Sequence, residues 1–256
     1  MNRMRRVGVA ALLSISGGWS WAQGMFQEHA AEAQLRGAVI DLAQSCGYFA
    51  AYDQNAVWRV DLQTGATLAS VEVGKGPVAL ALSADCSVLA CVNGLSNSLT
   101  LVSVPDLKVL ATVACGQGAC DVAALPDGGF AVACSFADSI TLVDPQRPES
   151  PAVVSDVLSV PIVVAASSRY LAVATCVPAA LRLYEHGADR PHVTVPLRDK
   201  PSAVSALSNG RFVVAIRTGL CLVEGERGRI VASVERPVVD VATTPDSVVV
   251  LGPDML

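Results

Sequence analysis

From residue 37 onward the chain alternates short apolar runs with short polar turns, and the alternation itself repeats. Pro77-Val78-Ala79-Leu80-Ala81-Leu82 is followed by the polar turn Ser83-Ala84-Asp85 and a second apolar run, Val88-Leu89-Ala90-Cys91-Val92. The eleven-residue step from Pro77 to Val88 recurs from Gly37 to Tyr48, Ala119 to Phe130, Val160 to Leu171, Pro201 to Phe212 and Pro237 to Val248. Successive starts lie 40, 42, 41, 41 and 36 residues apart, a constancy that marks a repeat architecture. A third run follows each of the first five pairs: Val57–Leu62, Leu99–Val102, Ile140–Asp144, Leu181–Tyr184 and Leu220–Val223. After a further turn comes a fourth: Thr67–Val73, Val109–Ala114, Pro151–Val154, Val193–Leu197 and Ile230–Val234. Val, Ile, Leu and Thr dominate these runs and no helical period emerges, so the runs are strands.

Four short antiparallel strands per unit of about forty residues is the arithmetic of a β-propeller blade. The expectation is an all-β protein: a propeller of four-stranded antiparallel blades over residues 37–256, with about six repeats and the last one incomplete. In the sixth unit only strands around Val238–Thr243 and Val248–Leu251 are present. A fragment of a seven-bladed propeller is the alternative. Residues 23–36 form an N-terminal extension. Its segment 28–36 stands where a ring-closing strand would stand, but Gln27 to Leu35 is rich in Ala and Glu. It is therefore either a closing strand or a short helix.

Composition sharpens this picture. Of 256 residues, 52% are hydrophobic and 16% charged, the reverse of a disordered chain. Blades packed on both faces explain that fraction, because their strands read as near-continuous apolar runs. Residues 1–22 read as a secretory signal peptide: Arg3, Arg5 and Arg6 begin it, Val7–Ile15 is a short apolar stretch, and Ser20 and Ala22 are small residues before the cleavage point. Its removal takes three arginines and no acid, leaving 15 basic against 23 acidic residues. That balance excludes nucleic acid as a partner through bulk charge. No later run reaches the ~18 apolar residues of a membrane span, so none is expected once the signal is removed. The expected location is periplasmic or extracellular.

The string Val71-Glu72-Val73-Gly74-Lys75-Gly76-Pro77-Val78-Ala79-Leu80-Ala81-Leu82-Ser83-Ala84-Asp85, with Ser98-Leu99-Thr100-Leu101-Val102 after it, resembles the YVTN-type bacterial β-propeller repeat of the WD-repeat-like superfamily. The resemblance spans about residues 37–252. Departures are plain: Cys86 stands where a turn glycine is usual, the fourth unit lacks the turn aspartate, and no unit carries Tyr-Val-Thr-Asn. The resemblance implies an exported binding or scaffold module. It leaves as alternative a lactonase-like or periplasmic dehydrogenase-subunit-like propeller that uses a metal or channel-mouth acids.

Candidate chemistry is sparse, and no catalytic residue is assigned. Eight cysteines are far below the density of a disulfide scaffold. Cys115 and Cys120, flanking a strand-to-strand loop, are the disulfide candidate, and the others read as small buried hydrophobes. His186 and His192 sit among Glu185, Asp189, Gly187 and Pro191. They match no metal-ligand spacing and read as a solvated turn. Gly74-Lys75-Gly76 and Gly116-Gln117-Gly118 precede strands rather than helices, so they are links between blades and not phosphate cradles. First strands border the channel of a propeller, which makes Asp41, Asp121 and Asp240 the binding candidates at its mouth. They lie seven, nine and eight residues before the second-strand anchors Tyr48, Phe130 and Val248, so Asp41 and Asp121 share strand parity and Asp240 does not. No cofactor or metal is predicted. The expected role is a non-enzymatic scaffold holding a protein or small-molecule ligand at a propeller face.

Overall fold

The computed structural model describes residues 33–251 apart from 105, 156–159, 208, 237, 239 and 244–247. The signal peptide expected at 1–22 and most of the expected extension at 23–36 lie outside the described residues. Blade 1 comprises β1 (Leu35–Asp41), β2 (Cys46–Ala51), β3 (Ala56–Asp61) and β4 (Thr67–Glu72). Blade 2 comprises β5 (Pro77–Leu82), β6 (Val88–Asn93), β7 (Ser98–Ser103) and β8 (Lys108–Ala114). Blade 3 has β9 (Ala119–Ala124), β10 (Phe130–Cys134), β11 (Ser139–Val143) and β12 (Ala152–Val154), and blade 4 has β13 (Pro161–Ala166), β14 (Tyr170–Cys176), β15 (Ala179–Glu185) and β16 (Val193–Pro196). Blade 5 has β17 (Pro201–Ala206), β18 (Arg211–Ile216), β19 (Gly219–Glu224) and β20 (Arg229–Val234). β21 (Asp240–Thr243) and β22 (Val248–Leu251) pair as a sixth, two-stranded sheet.

Every sheet is an antiparallel meander in chain order, and the fold is a β-propeller of four-stranded blades. The first strands pack side by side in the order β1, β5, β9, β13, β17, β21. Comparable packing of β21 on β1 is absent among the described residues. Leu35 and Arg36 of the extension belong to β1 itself.

The middle strands carry the core. β2, β6, β10, β14 and β18 are buried over nearly their whole lengths, whereas the fourth strands are largely exposed. Separate apolar clusters fill the spaces between consecutive blades. Tyr48 and Leu89 meet between blades 1 and 2, Leu101 and Phe130 between blades 2 and 3, and Ala131 and Val173 between blades 3 and 4. Leu183 meets Phe212 between blades 4 and 5, and Val213 meets Val241 beyond them. Two buried faces per sheet are why these strands do not alternate between apolar and polar residues.

A polar clamp repeats between the blades. The turn from second to third strand ends in a left-handed residue: Asn55 (φ 53°), Asn97 (φ 49°) or Asp138 (φ 48°). Its Oδ1 accepts the N–H of Gly76 (2.8 Å), Gly118 (2.8 Å) or Val160 (2.6 Å), on the connector to the next blade. Asn and Asp suit this place because they tolerate the left-handed region and accept a hydrogen bond at short range. Gly76 and Gly118 need their hydrogen twice over. Both have positive φ, and a Cβ would meet Leu95 at 2.6 Å in one case and Ser135 Oγ at 2.5 Å in the other. In blade 4 the same connector position is Val160, at φ 55°.

Candidate functional site

This topology sorts the loops onto two faces. Connectors between blades and the turns from second to third strand gather on one face, here the connector face. First-to-second and third-to-fourth turns gather on the opposite one.

The three aspartates predicted at the channel divide between these faces. Asp121 is the third residue of β9 and pairs with Ala133; Asp240 is the first residue of β21 and pairs with Leu251. Each stands three residues before the end of its strand, in the half nearer the connector face. Asp41 is the last residue of β1, paired with Cys46 at the opposite face. The registers therefore revise one part of the parity read from the sequence: Asp240 is equivalent to Asp121, while Asp41, which like Asp121 faces the next blade, stands at the other end of its strand. The reason is turn length, since Phe130 follows Ala124 by one residue more than Val248 follows Thr243.

Asp121 and Asp240 also feel one another. The Asp121 carboxyl is pushed up from 3.8 to about 7, chiefly by burial. Hydrogen bonds from the Val164 and Val122 N–H groups oppose the rise, and the charge of Asp240 adds to it. Its Oδ2 accepts the Val164 N–H at 2.9 Å, which ties blade 3 to blade 4. Asp121 as a residue is half-buried, and crowding by the strands around its carboxyl governs its ionisation. Asp240 is buried, and its Oδ1 accepts the Val241 N–H at 2.8 Å. Asp41 is buried too; Oδ1 accepts the Gln44 N–H at 3.1 Å, and Oδ2 has no hydrogen-bond partner. Burial, then the charges of Asp41 and Asp85, push the Cys86 thiol up. Among the described residues no group of three His, Cys, Asp or Glu side chains is placed to hold a metal.

The structure leaves Cys115 and Cys120 unbonded, as it does all eight thiols. Cys115 packs against the core between blades 2 and 3, and Cys120 against that between blades 3 and 4. Cys120 is the residue skipped by the β9–β10 register, and its Sγ approaches the carbonyls of Ala133, Pro161 and Ile162 at 3.5–3.7 Å. Ser202 fills the same bulged place in β17, reaching the carbonyls of Ala215 and Val238 at 3.5 Å. The bulge turns Cys120 away from Cys115. Burial pushes both thiols up to about 12.

Two features escaped the sequence reading. The first is a row of exposed apolar side chains on the connector face: Leu95 (64% exposed), Phe136 (81%) and Val177 (59%). They occupy the second-to-third-strand turns of blades 2, 3 and 4. Leu95 and Phe136 each precede the clamp residue by two, in Leu95-Ser96-Asn97 and Phe136-Ala137-Asp138. That fixed offset was the available signal. The second is a cleft of about 470 Å³ between blades 3 and 4, open toward the opposite face. It exists because β12 covers only three residues of β11. Ile140, Leu142 and Leu171 line it, with Arg147, Glu185 and His186 at its polar rim. Those rim groups are engaged: Arg147 with Asp144 at 3.0 Å, Glu185 with Arg169 at 3.1 Å, and His186 Nε2 with the Ser167 carbonyl at 2.8 Å. His192 stacks on Tyr170, 5.8 Å between ring centres.

No protein-family model matches the chain, and no curated protein matches it. Among solved structures it is similar to the Kuenenia stuttgartiensis hydrazine synthase, with a TM-score of 0.62 and 14% identity. The match covers 87% of this chain and 96% of that one. At that identity the likeness is one of fold alone. Among the described residues no helix is long and apolar enough to cross a membrane.

Proposed function

We propose that the chain is an exported, non-enzymatic β-propeller that serves as a protein-interaction scaffold and engages its partner through the connector face. The observation that carries this reading is the row of Leu95, Phe136 and Val177, three large apolar side chains exposed on equivalent turns of consecutive blades. Scattered single exposed apolar residues need no explanation, but three repeated on the same kind of turn of consecutive blades support an interaction surface on that face. The resemblance to YVTN-type repeats and the leader-like residues 1–22 support export and a binding role. Site-specific photocrosslinking in cells producing the full chain tests it. A photoreactive residue at 136 is expected to give a discrete adduct with one protein species, and the same residue at Gln63, exposed on the opposite face, none. Equal labelling from both positions, or none from 136, refutes the reading.

A second reading draws on the equivalent register of Asp121 and Asp240 and the charge effect of one on the other, and takes them as channel-mouth acids for a cation in a lactonase-like or dehydrogenase-subunit-like propeller. Elemental analysis of the purified full chain separates the two, because stoichiometric metal favours the second.

A further inference from the structure

The face of blade 1 turned away from blade 2 is closed to water, although among the described residues no second blade is set against it. Phe49 (3% exposed), Trp58 (6%), Val60 and Leu62 form one apolar cluster there, with Leu35 and Ile40 packed against it. The five other clusters each draw side chains from two consecutive sheets. The described members of this one come from blade 1 and from Ala33, just before β1. Side chains stand roughly perpendicular to a sheet, so neighbours on the same sheet shield their flanks and not their tips. Blade 3 shows what such a face needs. Its Val132 and Val143 stand as far from Asp138 as Phe49 and Val60 stand from Asn55, and they pack with Leu99, Leu101 and Val113 from the third and fourth strands of blade 2. Among the described residues the sixth sheet has only β21 and β22, and β21 packs on β17 with no comparable packing on β1.

We infer that residues 23–32, the chain immediately before β1, pack on this face of blade 1 in the place of a neighbouring blade's outer strands. Ala33 already belongs to the cluster, and Gln34 is fixed beside it. The Gln34 carbonyl accepts the Tyr52 N–H at 2.8 Å, and its N–H donates to Asp53 Oδ1 at 2.9 Å. The chain therefore enters blade 1 at the connector end of this face. Phe26, Ala30 and Ala33 follow one another at steps of four and three, the spacing of one side of a helix, and Glu28 and Glu32 fall off that side. A helix rising from Ala33 along the face carries Phe26 about 10 Å from it, level with Trp58 and Val60 of β3, and leaves the two glutamates in water. The break in the ring is thus covered from within the chain. This covering is independent of any partner at the connector face.

A photoreactive phenylalanine analogue at position 26 of the full chain tests this, with the products digested by trypsin and mapped by mass spectrometry. The expected crosslink joins residue 26 to the peptides 37–59 or 60–75 of the same chain. Light and isotopically heavy chains mixed before irradiation identify the partner. Light–heavy pairs place the segment on a second copy and overturn the inference, as do an adduct with another protein, crosslinks confined to other blades, or no crosslink. In a second arm, Trp19→Phe and Trp21→Phe leave Trp58 as the one tryptophan of the full chain. Adding Phe26→Ala is expected to move the Trp58 emission to longer wavelength, to increase its quenching by acrylamide, and to lower the thermal midpoint by about 5–10 °C. The Glu28→Gln, Glu32→Gln double variant is expected to change none of these. A Trp58 emission indifferent to Phe26→Ala overturns the inference. If the alanine variant fails to fold, the crosslink decides, because it keeps an aromatic ring at position 26.

Discussion

Replacing Asn97 by alanine removes two contributions to the link between blades 2 and 3. The first is the hydrogen bond in which Asn97 Oδ1 accepts the Gly118 N–H at 2.8 Å. That N–H is half-buried on the connector, and leaving it without a partner costs about 1–2 kcal/mol. The second is backbone conformation. Asn97 sits at φ 49°, where alanine loses about 1–2 kcal/mol relative to a residue suited to the left-handed region. Together the expected loss is about 3 kcal/mol, or about 6–12 °C in thermal midpoint for a domain of this size. Two further substitutions separate the contributions. Asn97→Gly keeps the backbone conformation and loses the hydrogen bond, so it should cost roughly half as much. Asn97→Asp keeps both, as Asp138 shows in the next blade, and should stay within about 0.5 kcal/mol of the parent. Urea unfolding of the full chain and its three variants, followed by circular dichroism, gives the order Asp, Gly, Ala. An alanine variant as stable as the parent, or an aspartate variant as weak as alanine, would refute the clamp.

The other predictions concern single groups. Val160 is a β-branched residue at φ 55° in a place where two other blades have glycine, so Val160→Gly should raise the thermal midpoint by about 1–3 °C; an unchanged or lower midpoint would show that the valine side chain contributes more than its strain removes. The Asp121 carboxyl titrates near 7 in the folded state against 3.8 in the open chain, so its ionisation opposes folding by an amount that is absent below pH ~4, grows between, and is full above pH ~7. Asp121→Asn should therefore stabilise the protein at pH 8 and do so progressively less toward pH 4.5, and a gain that does not vary with pH would sink the argument. With their thiols pushed up to about 12, Cys115 and Cys120 should resist iodoacetamide in the native protein at pH 8 and both react after denaturation without reductant. Two unlabelled cysteines and a mass lower by two hydrogens would instead establish a bridge between them.

Much of the fold was legible in the amino-acid pattern because strand burial in a blade leaves a local trace. The runs beginning at Pro77, Val88, Ala119 and Phe130 coincide with the starts of β5, β6, β9 and β10. The glycine pairs at 74–76 and 116–118 proved to be inter-blade links for reasons visible in sequence: a strand follows each, where an anion cradle needs a helix. The site was less legible. Equivalence of Asp121 and Asp240 depends on the register of each strand pair, and a one-residue difference in turn length is enough to reverse a parity count. Exposure of Phe136 was hidden for a related reason. A large apolar residue in a turn is as compatible with a buried tip as with an exposed one until the neighbouring connector is placed beneath it.

The repeat length, the strand quartets and the sparse catalytic inventory were determined by the sequence alone, since each follows from local periodicity and residue type. Tertiary structure alone decided which aspartates share one end of the channel, why Cys120 turns from blade 2 toward blade 4, and that three apolar turns align on one face. Each of these depends on how one blade is set against the next. The contacts that set it, such as Asn97 to Gly118 and Asp121 to Val164, join residues 21 and 43 positions apart. No window as short as a strand contains both partners.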